Sequence, residues 1–168
     1  MVRRMFYRTS LCLMGLVWAT AFAQPVSKDE QRDLARAEAL MAQGAEQDAF
    51  VSFKDFLRRY PGSPLGPKAQ LHLGDLHLRR SEFQLAQETF RRVHTMPQVQ
   101  LQDRLRAALG TGDAWRGLGR LEDAILEWQA VRRRSGKNPD LAEAARIRIL
   151  AIDPYAKVTD PVLGGGLE

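Results

Sequence analysis

Apolar residues in this chain come in trios that repeat. Ala49, Phe53 and Phe56 return as Ala86, Phe90 and Val93, then as Ala124, Trp128 and Val131, at steps of 37 and 38 residues. Ahead of each trio stands a second anchor pair: Ala37 with Leu40, Gly74 with His77, and Gly112 with Trp115. Between the two sets Gly44, Ser81 and Gly119 share one repeat position, where a chain that doubles back must turn. The i, i+4, i+7 spacing inside each trio keeps one face of an α-helix apolar, so each unit reads as helix, tight turn, helix. The pattern predicts helices over 28–43, 46–60, 64–80, 82–94, 99–117, 120–135 and 139–152.

Start and stop signals agree with those spans. Ser27-Lys28-Asp29-Glu30 and Ser81-Glu82-Phe83-Gln84 have capping-box form. Ser63-Pro64 and Asn138-Pro139 place a capping side chain before a proline whose missing N–H costs nothing in a first turn. Arg58-Arg59 and Arg132-Arg133-Arg134 fall in last turns, where cations meet the negative end of the helix dipole. Six helices make three hairpins, with repeats at about 30–66, 67–104 and 105–138, and the seventh, 139–152, caps the stack. The expected fold is an all-α right-handed solenoid occupying 24–152, followed by a flexible tail over 153–168.

Small–x3–aromatic–x2–apolar, after a Leu-Gly helix and before a proline, resembles the tetratricopeptide repeat; Leu73-Gly74, Ala86, Phe90 and Pro97 carry the pattern best. More narrowly, Phe56-Leu57-Arg58-Arg59-Tyr60-Pro61-Gly62-Ser63 with Ala69-Gln70-Leu71-His72-Leu73-Gly74-Asp75 is similar to the periplasmic repeat domain of the Tol–Pal-associated cell-division coordinator. The repeat lipoprotein of the outer-membrane β-barrel assembly machinery shares that style. Repeat one departs from the pattern, with Arg36-Ala37 in place of Leu-Gly, and repeat three has Gly136 where the proline is expected. The repeat family implies a concave partner-binding groove lined by positions 2, 5, 9 and 12 of each first helix. Carried over, these are Gln31, Leu34, Glu38 and Met41; Lys68, Leu71, Asp75 and Leu78; and Arg106, Leu109, Asp113 and Arg116. Read across the repeats, position 5 is a leucine row and position 9 an acidic row, which would suit an amphipathic or extended segment with apolar anchors and a few basic groups.

The N-terminus changes the reading of charge. Arg3, Arg4 and Arg8 precede an apolar run from Leu11 to Phe22 that ends in Ala21-Phe22-Ala23, a secretory signal peptide over 1–23 with cleavage after Ala23. A retained anchor competes, since the uncharged stretch Thr9–Ser27 approaches the ~20 residues of a membrane span. Arg3-Arg4 also resembles a twin-arginine signal, with the general secretory route as the other option. Thr9-Ser10-Leu11 before Cys12 is not a lipoprotein box. Removing the leader leaves 22 basic against 20 acidic residues and no cysteine, so the formal charge of +5 on the whole chain is poor support for nucleic-acid binding.

Catalytic groupings are not expected. His72 and His77 are five apart, ~140° around a helix, so they cannot share a metal on one face. His77 takes the packing position of Leu40 and Trp115. Gly110-Thr111-Gly112 lacks the strand and third glycine of a phosphate loop, and Glu122-Asp123 sits in a first turn where the dipole explains it. The sequence points to a non-catalytic adaptor in the periplasm without cofactor or metal. It would hold an envelope protein through its groove, without stable membrane insertion once the leader is cleaved. By resemblance that partner belongs to cell division or outer-membrane maintenance. The alternatives are a membrane-anchored scaffold and an accessory subunit of an envelope enzyme complex.

Overall fold

The computed structural model describes residues 26–96, 99–136, 138–154 and 156, so the expected leader and most of the expected tail lie outside the described residues. The order is α1 (Lys28–Ala42), α2 (Glu46–Arg59), α3 (Gly66–Arg79), α4 (Phe83–Thr95), α5 (Leu101–Gly117), α6 (Leu121–Ser135) and α7 (Pro139–Ile152). Each helix packs on the next, and the odd-numbered α3, α5 and α7 also touch in sequence, the arrangement of an all-α helical-repeat solenoid.

The three hairpin turns are built alike. After α1 the N–H of Ala45 reaches the Leu40 carbonyl and that of Gly44 reaches Met41; Glu82 with His77 and Ser81 with Leu78, then Arg120 with Trp115 and Gly119 with Arg116, repeat the pattern. This double bond around a left-handed residue satisfies carbonyls the helix leaves open. Gly44 and Gly119 supply the left-handed backbone at φ 77° and 75°, whereas Ser81 adopts it at φ 59°. That geometry overturns one expectation. Ser81 turns the chain and so cannot cap α4, whose N-cap residue is Glu82, with no side-chain cap hydrogen bond. The Ser27 box does form, with Glu30 N–H donating to Ser27 Oγ at 3.1 Å and Ser27 N–H to Glu30 Oε1 at 3.4 Å.

Two helices start two residues later than the pattern predicts. Ser63 spans the loop instead of capping α3: its Oγ accepts from Leu65 N–H at 3.2 Å and donates to Glu30 Oε2 at 2.5 Å, and Pro67 occupies the first turn. Before α5, Val99 is buried in the core while Gln100 remains extended.

Phe53, Phe90 and Trp128 are at most 1% exposed and anchor three core clusters that run the length of the stack. Phe90 is wedged between helices. A methyl group added at Gly74 of α3 or at Gly110 of α5 would lie less than 3.0 Å from its ring, and one at Gly112 would meet Trp128 in the same way. Glycine is therefore required at these positions by close approach rather than by backbone conformation. Trp128 Nε1–H donates to the Leu109 carbonyl at 3.2 Å, so the buried indole is satisfied. His77 packs as expected, edge-on to Phe50 with centroids 5.2 Å apart, and its Nδ1 is 2.6 Å from Glu82 Oε2.

Candidate functional site

The first helices of repeats two and three, with α7, enclose a concavity of about 300 Å³. Six of the residues expected in a groove line it: Lys68, Leu71 and Asp75 from α3, and Arg106, Leu109 and Asp113 from α5. Their 3-then-4 spacing puts each trio on one stripe of its helix. Leu141, Ala144 and Arg148 of α7 complete the wall. The sequence reading gave α7 only a capping role and missed these three. The signal was there, since 141, 144 and 148 repeat the spacing of 68, 71, 75 and of 106, 109, 113.

The leucine row is floor rather than free surface. Leu34, Leu71 and Leu109 are 4%, 6% and 7% exposed and pack within the stack. Met41 rests half-buried on the first core cluster and Leu78 on the third. Arg116 is exposed, with Nη2 4.0 Å from Asp113 Oδ1, and does not line the concavity.

The acidic row divides into two kinds. Glu38 is clasped across the first repeat junction, by Lys68 Nζ at 2.7 Å and by His72 Nε2 at 3.1 Å. A carboxylate accepts, so Nε2–H donates to Glu38, while the buried Nδ1 has no hydrogen-bond partner among the described residues. The ring stacks on Phe53 at 5.0 Å. Burial would push the Glu38 carboxyl up, but the Lys68 and His72 contacts outweigh it and hold it below the usual glutamate value. At the other end Arg148 Nε donates to both oxygens of Asp113, at 2.9 and 3.0 Å, and ties α5 to α7.

Asp75, between them, has no such clasp. Its side chain opens to solvent, yet the groove walls displace enough water to raise its carboxyl, against the opposing pull of His72, Arg106 and Arg79. Arg106 is likewise exposed. The centre of the groove thus presents one carboxylate and one guanidinium above an apolar floor, with paired charges at either side. Among the described residues no group of three or more His, Cys, Asp or Glu is placed to hold a metal, and no helix is long and apolar enough to cross a membrane.

Comparison with known proteins bears on the repeat itself. Tetratricopeptide repeat is the description of the family whose model matches residues 33–63, spanning α1 and α2. The match falls on repeat one, where Leu-Gly is replaced, and not on repeat two, where the pattern reads closest; the buried trio of Ala49, Phe53 and Phe56 is kept there. Among solved structures the chain is similar to the type III secretion translocator chaperone SycD of Yersinia enterocolitica, crystallised as an alternative dimer. The TM-score is 0.66 at 15% identity, over 78% of this chain and 96% of that one. It is also similar to PcrH from Pseudomonas aeruginosa, with TM-score 0.62 at 18% identity over 79% and 98%. At these identities the likeness shows the fold. No curated protein matches the sequence.

Proposed function

We propose that this protein is a non-catalytic adaptor that holds a segment of a partner protein in its concave groove, and that it does so in the periplasm. The observation that carries the reading is the central groove itself. Asp75 and Arg106 stand unclasped over Leu71 and Leu109, while the flanking acids are tied between helices. A partially desolvated carboxylate gains from meeting a cation, so a partner side chain of Lys or Arg type is the natural complement of Asp75, with apolar neighbours resting on the leucine floor. The location is supported by the leader pattern over 1–23, and a partner in cell division or outer-membrane maintenance by the resemblance of residues 56–75 to envelope repeat proteins. The similarity to a translocator chaperone supports a polypeptide as the thing bound.

The test is in-cell photo-crosslinking from Asp75 and Arg106, with Arg91, exposed on α4, as control. Leu71 is unsuitable because a bulky probe there would displace core. One envelope protein trapped from both groove positions and not from Arg91 is the expected result. Diffuse labelling, or labelling strongest at Arg91, would refute the groove. A companion substitution, Asp75→Lys, should weaken capture with circular dichroism unchanged; Asp113 is the wrong target, since reversing it would break the tie to α7.

A further inference from the structure

A second cavity, about 550 Å³, opens on the other side of α3, between α2 and α4. Phe50 and Leu57 of α2, Leu73 of α3 and Leu85 of α4 give it apolar walls, and Leu85 is 50% exposed. The chain contains its own control for this surface. The 37- and 38-residue steps map Phe50, Leu57, Leu73 and Leu85 onto Gln87, His94, Thr111 and Asp123. The next junction, where α4, α5 and α6 pack in the same way, therefore folds with polar residues at all four positions. Leu73 belongs to the first core cluster and Phe50 and Leu57 rest against it, so the fold accounts for those three; Leu85, half exposed where the next junction has an aspartate, is the apolar residue that packing within the stack leaves unexplained.

The rim indicates the occupant. Lys54, Arg58 and Arg92 border the cavity against one acid, Glu88. Among the described residues Arg58 and Arg92 pair within their own helices, with Asp55 at 2.8 Å and Glu88 at 2.7 Å, in exposed pairs that hold little energy and exchange readily. Lys54 Nζ lies 5.5 Å and the Arg80 guanidinium 4.5 Å from the Phe50 ring. From Phe50 to Leu57 the cavity follows α2 for roughly 10 Å, about two helical turns.

We infer that this groove docks an acidic amphipathic helix of a partner protein, about two turns long. Apolar side chains at i and i+3 or i+4 fill the space between Phe50, Leu57 and Leu85, and carboxylates on the flanks meet Lys54 and Arg92. The surface is separate from the concave groove, so the two sides of α3 can hold different segments at once.

The probe is a phage-displayed library of random 16-residue peptides, selected on the immobilised protein with its concave groove altered by Asp75→Lys. Enriched peptides with paired apolar residues and an excess of Asp and Glu are expected. Their binding should drop by about tenfold in Leu85→Asp and in the double variant Lys54→Glu, Arg92→Glu. The double variant changes only exposed charges, so it tests the surface even where Leu85→Asp perturbs folding. Enrichment of neutral or basic peptides would overturn the inference. So would binding indifferent to these substitutions, no enrichment, or sedimentation showing a second copy of this chain bound through Leu85.

Discussion

The Phe90 wedge makes a prediction whose sign can go either way. Gly110→Ala replaces a helix-interior glycine, and on propensity alone it should stabilise by about 1 kcal/mol. The structure predicts the opposite. The new methyl would sit less than 3.0 Å from the Phe90 ring, and the ring cannot retreat because Gly74 of α3 closes the other side at similar distance. Overpacking of a fixed core costs typically 1–3 kcal/mol. With both faces of the ring blocked the upper part of that range applies, leaving a net loss of about 1–2 kcal/mol after the propensity gain is subtracted. Urea denaturation followed by far-ultraviolet circular dichroism, with tryptophan fluorescence as second probe, measures it. Gly117→Ala is the matched control. Its methyl would meet the Phe83 ring as closely, but Phe83 is half-buried and no second glycine encloses its ring, so Gly117→Ala should cost less than Gly110→Ala. Phe90→Leu should recover part of the loss in the Gly110→Ala background, because it removes the atoms in conflict. Gly110→Ala as stable as Gly117→Ala would refute the wedge.

Three further outcomes follow from the same contacts. Trp128→Ala removes the largest fully buried side chain and should cost about 3–5 kcal/mol, read by calorimetry or urea melts. Arg148→Ala frees the half-buried Asp113 carboxylate and should cost about 1 kcal/mol, with faster amide hydrogen exchange in α7 than in α3. The two groove acids should show opposite pH behaviour. Glu38 is held below its ordinary value, so its stabilising effect is present at neutral pH and is lost as pH falls through the acid range; Glu38→Gln should destabilise at pH 7 and converge with wild type on acidification. Asp75 is raised, so its ionisation opposes folding once pH rises through and above the ordinary aspartate range; Asp75→Asn should be the more stable protein at pH 7 and lose that advantage in acid.

The repeat period, all seven helices and the anchors Phe53, Phe90 and Trp128 were legible in the chain because they rest on local periodicity and capping, which act over a few neighbouring residues. Even there Ser81 held two compatible meanings, turn residue and cap. The hairpin bonds to Leu78 and His77 chose between them, since one backbone cannot be left-handed and also present a cap. What the groove offers a partner was not legible. The repeat register brought an acid to the same place three times, but whether each is free depends on which cation the next repeat carries opposite it, some 30–35 residues away: Lys68 and His72 for Glu38, Arg148 for Asp113, none in contact for Asp75. Periodicity places side chains on faces. Only the stacking of one repeat on the next decides which of those faces meet, which charges they neutralise, and which stay open to bind.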